Sequence, residues 1–414
     1  MQHSDHRHWV SVWTASAQGA YPIGSTVAQP NLDLAIQEPD KGLVNQSFRM
    51  VFKPALRSSH IRLRLSHVFG KQTLRLRDLK VGVHLGGGAL IPETCVDIAD
   101  MNIAAGKNEW THAIELPTHA NNAIARWLNH AMVLSGWIEG ESGPITWHAK
   151  AMASSYLSLP NTRVELEDHS EFQFPLTTTS VFFLDAADAL LTKDCHAVAG
   201  FGDSLTDGTF TTLNGFDRWT DVLQRALCAQ GHDNIAILNA GIGGNQVLSP
   251  LSRHEPWRGG PAAIERLDRD VLSLSGVQTL IWLEGINDFS LNGNAEVADV
   301  LAAMSLAVQR IKAAGIRVIG ATLPSAFKST RQGHGSQLQD QKRRAFNQFI
   351  LSSDLFDAVA DIDKALTDPN TGCLNAPFDF DSTLGEAGDG IHPNRAGHAA
   401  MAREIGSALQ RLLQ

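Results

Sequence analysis

Cysteine is scarce: Cys95, Cys195, Cys228 and Cys373 stand far apart, and no Cys-x-x-Cys pair occurs. That spacing argues against a zinc site and leaves buried free thiols as the expectation. Long apolar runs are missing too. None approaches the roughly 18 residues a helix needs to cross a bilayer, so no membrane span is expected. There is no long basic run, and the formal net charge is -9, which argues against a nucleic-acid partner on electrostatic grounds. The opening Met1-Gln2-His3-Ser4-Asp5-His6-Arg7-His8 lacks the apolar core of a secretory signal. The expectation is a cytoplasmic protein, or an exported one shown without its leader. The histidines of this stretch read as a frayed tail rather than as a metal site.

What is present is the composition of a folded chain. Hydrophobic residues make up 43% and charged residues 19% of 414 positions, enough for a sizeable core and for two or three domains. The first half reads as β-structure. Ile61, Leu63 and Leu65 alternate with Arg62 and Arg64, the period-two pattern of a half-buried strand, and Leu79, Val81, Val83 and Leu85 repeat it before the turn Gly86-Gly87-Gly88. Further strands are expected at 9–14, 48–52, 132–138, 154–159 and 181–184. Short strands without long amphipathic helices predict a β-sandwich of the jelly-roll kind over residues 1–193.

From 194 to 414 strands and helices alternate. Strands are expected at 196–201, 235–238, 279–283, 316–323 and 358–362, with helices at 216–230, 261–274, 295–314, 340–352 and 394–413. This predicts an α/β domain with a parallel sheet covered on both faces, whose ligands sit at the carboxyl ends of the strands.

Four short stretches carry chemistry at those ends. Gly202-Asp203-Ser204-Leu205-Thr206-Asp207-Gly208 follows the first strand, and a serine at a strand-to-helix turn projects its hydroxyl over the sheet edge. It is not the Gly-x-Ser-x-Gly elbow, and alone it reads equally as a capped turn. Asn239-Ala240-Gly241-Ile242-Gly243-Gly244-Asn245 follows the second strand; its small residues let backbone amides point into a cleft, although a plain glycine-rich turn would look the same. In Gly285-Ile286-Asn287-Asp288 the asparagine is either an uncharged donor to an oxyanion or an Asx-turn. In Asp389-Gly390-Ile391-His392-Pro393-Asn394 the carboxylate can fix the tautomer of His392, which then serves as general base, unless the two are an ordinary loop pair.

Together the four stretches resemble the consensus blocks of the SGNH, or GDSL, hydrolase family, over about residues 195–414. The resemblance implies a flavodoxin-like SGNH hydrolase domain in which Ser204 is the nucleophile. It further implies Asp389 and His392 as triad partners, and Gly244 and Asn287 as oxyanion donors beside the Ser204 amide. No cofactor or metal is implied. A narrower resemblance joins Trp9-Val10-Ser11-Val12-Trp13-Thr14-Ala15-Ser16, residues 61–69, Trp147-His148, Ser154-Ser155-Tyr156, Leu267-Asp268-Arg269-Asp270-Val271-Leu272 and Glu284-Gly285-Ile286-Asn287-Asp288. These stretches are similar to two-domain bacterial GDSL esterases linked to acetylxylan and other carbohydrate esters, relatives that are often exported.

Around these blocks Asp203 and Asp207 read as turn and cap residues, and Asp288 as a brace for the Asn287 loop. His254, Trp257 and Arg258 are candidate substrate contacts in a polar loop that is equally a solvated one, and residues 325–336 read as a mobile rim. Trp147 and His148 read as an ordinary buried pair. The function expected is a serine esterase acting on a small-molecule or carbohydrate ester, by preference an acetyl ester. The alternatives are a lysophospholipase-type acylhydrolase, or a carbohydrate-binding module with incidental esterase activity. Nothing in the sequence sets an oligomeric state.

Overall fold

The computed structural model describes residues 7–20, 32–117, 130–165, 169–251, 258–331, 333–381 and 387–413. The chain divides into two compact units, Met1–His196 and Ala197–Gln414.

The first unit is built from β1 (Arg7–Thr14), β2 (Val44–Phe52), β3 (His60–Ser66), β4 (Leu74–Gly86), β5 (Met132–Glu141) and β6 (Leu184–Thr192), with shorter strands at their edges. One antiparallel sheet runs β1-β6-β3 and ends on Ile114–Glu115; a second places β2, β5 and β4 side by side. Strand β6 extends well beyond the stretch 181–184 that the sequence predicts. Its sequence Leu-Asp-Ala-Ala-Asp-Ala-Leu-Leu-Thr has no period-two alternation and two acidic residues, yet it lies between two neighbours in the sheet.

The acidic residues explain themselves through β3. Arg64 Nε lies 2.6 Å from Asp185 Oδ1 and Arg62 Nη2 lies 2.7 Å from Asp188 Oδ2, with the Asp188 side chain wholly buried. The polar half of the β3 alternation therefore meets carboxylates rather than water alone. Removing one member of such a buried pair typically costs about 3–5 kcal/mol.

The second unit has strands β7 (His196–Gly202), β8 (Ile235–Gly241), β9 (Val277–Leu283), β10 (Arg317–Ala321) and β11 (Ala358–Ala360) in the order β8-β7-β9-β10-β11. The pairs β7–β9, β9–β10 and β10–β11 are parallel. Every residue of β7 and β8 is buried, as strands covered on both faces require. The long helices are α1 (Trp219–Ala229), α2 (Val297–Ala313), α3 (Gln337–Ser352) and α4 (Arg395–Leu413). Helix α1 begins later than the sequence pattern predicts, because Asn214 and Phe216 adopt positive φ and hold the chain in a turn.

The segment expected as a helix over 261–274 splits. An α-helical turn, Ala263–Leu267, passes into a π-helical one, Asp268–Leu272. No helix among the described residues is long and apolar enough to cross a membrane. The strand order reverses at β7, whose neighbours β8 and β9 continue the chain in opposite directions. A crevice opens at such a point beyond the carboxyl ends of the strands.

Candidate active site

Ser204 opens a four-residue helix, Ser204–Asp207, immediately beyond β7. Asp203 caps it, its Oδ1 accepting from the Leu205 amide at 2.9 Å. The approach demands glycine at 202, where a Cβ would lie 2.3 Å from the Leu283 carbonyl oxygen of the neighbouring strand end. His392 and Asp389 arrive from the loop before α4. His392 Nε2 lies 2.9 Å from Ser204 Oγ, and His392 Nδ1 lies 2.7 Å from Asp389 Oδ2. All three residues are buried.

Asp389 Oδ1 accepts from the amides of His392 and Ile391. Burial pushes the Asp389 carboxyl upward, but the His392 ring and these two amides outweigh it and hold the group well below the usual carboxylate range. An ionised Asp389 can only accept, so Nδ1 of His392 carries the hydrogen. Nε2 then presents a lone pair to the Ser204 hydroxyl.

The glycine turn after β8 is fastened to this corner. The Ile242 amide donates to the Gly202 carbonyl at 3.0 Å, and the Gly243 amide to Asp207 Oδ2 at 2.7 Å. Gly244 has φ 84°, a conformation that a side chain would strain. Asn287 Nδ2 donates to the Asn245 carbonyl at 2.9 Å, which leaves its second hydrogen for another acceptor. Asp288 receives the amides of Val247 and Leu248 at 2.8 and 3.1 Å. It thus braces the turn after Gly244 from the far side of the cleft. Among the described residues neither the Ser204 amide nor the Gly244 amide meets an acceptor.

Beneath the site lies a buried guanidinium that the sequence reading overlooked. Arg266 donates to Asn245 Oδ1 at 2.7 Å, to the Ala240 and Gly202 carbonyls at 2.8 and 2.9 Å, and to Asp270 Oδ2 at 3.1 Å. Its plane lies over the Phe201 ring, 4.1 Å from the centroid. The available signal was an arginine at a position that the apolar periodicity of 261–274 assigns to the core.

Glu284 approaches the same guanidinium at 3.6 Å with its side chain fully buried. Burial pushes Asp203 up to about 7 and Asp288 up to about 6, in each case against hydrogen bonds from backbone amides. Burial, with Asp203 next, raises Glu284 well above the ordinary range.

Folded-state values above those of the unfolded chain mean that these carboxyls contribute most to stability below about pH 4. For Asp288 and Asp203 that contribution is lost as the pH climbs through about 6 and about 7, and for Glu284 as it climbs through that group's own raised range. Glu284→Gln, which keeps the shape and has no proton to lose, should flatten the fall of the melting temperature between pH 5 and pH 8. Thermal melts across that range check this, and a decline parallel to wild type would exclude it.

Other positions singled out in the sequence fall as follows. Asp203 caps, whereas Asp207 reaches across to the glycine turn instead of capping its own helix. Trp147 and His148 are buried in the first unit, where the Trp147 indole donates to the Gly19 carbonyl at 3.1 Å and His148 Nδ1 lies 2.9 Å from the Ser16 carbonyl. Arg258 is half-buried, while His254 and Trp257 lie outside the described residues. Within the stretch expected as a mobile rim, Ser329, Thr330 and Arg331 all bond to Asp389. Among the described residues no group of three His, Cys, Asp or Glu side chains could hold a metal ion.

Comparison with known proteins assigns part of the chain to a family. The model of the GDSL-like lipase/acylhydrolase family matches residues 201–400. A GDSL-like lipase from Bacteroides thetaiotaomicron is 19% identical, over 52% of this chain and 88% of that one, with a TM-score of 0.38. A carbohydrate acetylesterase from Sinorhizobium meliloti is 16% identical over 52% of this chain and 99% of its own, with a TM-score of 0.39. The native aryl esterase of M. smegmatis is 17% identical over 53% and 100%, also with a TM-score of 0.39. No curated protein matches the chain. On the family match, residues 201–400 form a GDSL-like lipase/acylhydrolase domain, which makes the chain an esterase.

Proposed function

We propose that the chain hydrolyses short-chain carboxylic esters through an acyl-enzyme on Ser204, and that its natural ester is an acetyl group on a carbohydrate. The observation that carries the mechanism is the hydrogen-bonded chain Ser204–His392–Asp389, at 2.9 and 2.7 Å. Ser204 Oγ attacks the ester carbonyl while His392 Nε2 takes its proton, and Asp389 stabilises the imidazolium that results. The negative charge on the carbonyl oxygen is met by the Ser204 amide, the Gly244 amide and the second hydrogen of Asn287 Nδ2. One such preorganised donor contributes on the order of 3 kcal/mol. His392 returns its proton to the departing alcohol, and water repeats the sequence to free the acid.

The strand order supports reading residues 194–414 as a flavodoxin-like domain. The antiparallel sheets before it support a sandwich of the jelly-roll kind over 1–193. The acetyl ester and the carbohydrate rest on the similarity to two-domain acetylxylan-type esterases, carried by Trp9-Val10-Ser11-Val12-Trp13-Thr14 and Glu284-Gly285-Ile286-Asn287-Asp288.

A lipase-type acylhydrolase has one observation in its favour: the apolar side chains Ile286, Phe289, Ala326 and Phe327 line a small pocket beside the Asn287 loop, together with His334, Gln339, Asp340 and Arg343. The p-nitrophenyl esters of acetate, butyrate and octanoate separate the two readings. A pocket that takes up the chain gains up to about 0.8 kcal/mol, or roughly fourfold in kcat/KM, for each methylene buried. The acetyl reading expects a flat or falling series, and a rise through octanoate would replace it with the lipase reading.

A further inference from the structure

Asp389 is held by more than His392. Its Oδ2 accepts from Arg331 Nε at 3.0 Å, on the same oxygen that faces His392 Nδ1 at 2.7 Å. Its backbone carbonyl accepts from Ser329 Oγ at 2.6 Å, from the Thr330 amide at 3.0 Å and from Thr330 Oγ1 at 3.3 Å. Ser329 Oγ also accepts from the Arg331 amide at 3.1 Å, which ties the arginine into the same collar.

The guanidinium of Arg331 has a second contact. It lies over the ring of Phe210, 5.3 Å from the centroid. Phe210 in turn stands edge-on to the imidazole of His392, with ring centroids 5.3 Å apart and planes at 89°. Phe210 holds this place with φ 68°, in the left-handed region that a bulky residue rarely enters. Such backbone strain persists only where the surroundings enforce it. Asp389 thus holds the Nδ1 edge of the His392 ring, Phe210 packs against the ring, and one guanidinium joins the two.

The geometry points to Arg331 as a positioning residue for ester hydrolysis, acting with Phe210 to keep His392 Nε2 aimed at Ser204. The inference rests on the reading that Ser204, His392 and Asp389 carry the reaction. Arg331 touches none of the reacting atoms; its effect passes through the orientation of the imidazole. As a mere exposed ion pair, with 40% of its side chain accessible, it would contribute little to stability and nothing to turnover.

The test is a cycle of Arg331→Gln, Phe210→Leu and the double variant, assayed on p-nitrophenyl acetate beside Ser204→Ala. Misplacing a catalytic group by a fraction of an ångström costs about tenfold or more in rate. Each single variant should therefore lose roughly 10- to 30-fold in kcat with KM within about twofold, and the double should be little worse than the poorer single. Arg331→Lys keeps the charge but not the planar fork, so it should fall between wild type and Arg331→Gln, and it serves if the glutamine variant does not fold. The inference is overturned if kcat of Arg331→Gln stays within twofold of wild type, if KM alone rises, or if the two effects multiply. Ser204→Ala separates the levels: activity surviving there removes the underlying reading. An inactive Ser204→Ala beside an unimpaired Arg331→Gln removes this inference alone.

Discussion

Ser204→Ala should lose about 10^4- to 10^6-fold in kcat while the domain stays folded. The hydroxyl has a hydrogen bond to His392 and caps nothing. The cap of its helix is Asp203, whose bond to the Leu205 amide survives the substitution. Alanine is also the best helix former at the position it would occupy. Stability should accordingly change little, and the loss should appear in turnover. What remains would come from the oxyanion donors and from substrate binding, which are untouched. The check is kcat on p-nitrophenyl acetate in the presence of a chelator, with circular dichroism to confirm the fold. A variant keeping more than about one part in a hundred of wild-type kcat would refute Ser204 as nucleophile.

Asp389→Asn should cost about 10^4-fold in kcat, nearly as much, for a different reason. The Oδ1 position accepts from the amides of His392 and Ile391, so the amide oxygen of asparagine must lie there. Its NH2 group then falls where Oδ2 faced His392 Nδ1 and Arg331 Nε, two donors. To avoid opposed hydrogens the imidazole must move its own to Nε2 and turn an N–H, instead of a lone pair, toward Ser204. The base is then blocked by its own tautomer.

Because the folded Asp389 is held below its ordinary range, it contributes stability that is present above about pH 4 and lost as the pH falls further. The asparagine variant should therefore lose less stability than wild type on acidification, although it starts lower. A kcat within tenfold of wild type at pH 7.5 would show that Asp389 does not set the tautomer.

The parts of the site legible in the sequence are those whose chemistry needs neighbours in the chain. Asp389 and His392 stand three positions apart, and Ser204 follows directly on a strand end. Their meeting across 188 positions follows from strand order rather than from any local signal. Arg331, Phe210 and Arg266 were not legible as parts of the site. Each acts on residues distant in sequence, through a loop conformation or a turn of helix that no short pattern encodes.

Strand β6 was largely missed for a related reason. Asp185 and Asp188 depart from a strand pattern until Arg64 and Arg62 of β3 are placed beside them. The segment 325–336 has the polar composition of a loose loop, and only the position of Asp389 turns Ser329, Thr330 and Arg331 into a collar.

The buried guanidinium of Arg266 has a consequence for how the molecule opens. It bonds the last residue of β7, the β8 carbonyl at Ala240 and the Asn245 side chain at once. Neither the nucleophile turn nor the glycine turn can separate from the sheet without stripping this buried guanidinium of acceptors, leaving it Asp270 and Glu284 alone. The hydrogen-bonded amides of the two turns, Leu205, Ile242 and Gly243, should therefore exchange together rather than one turn at a time.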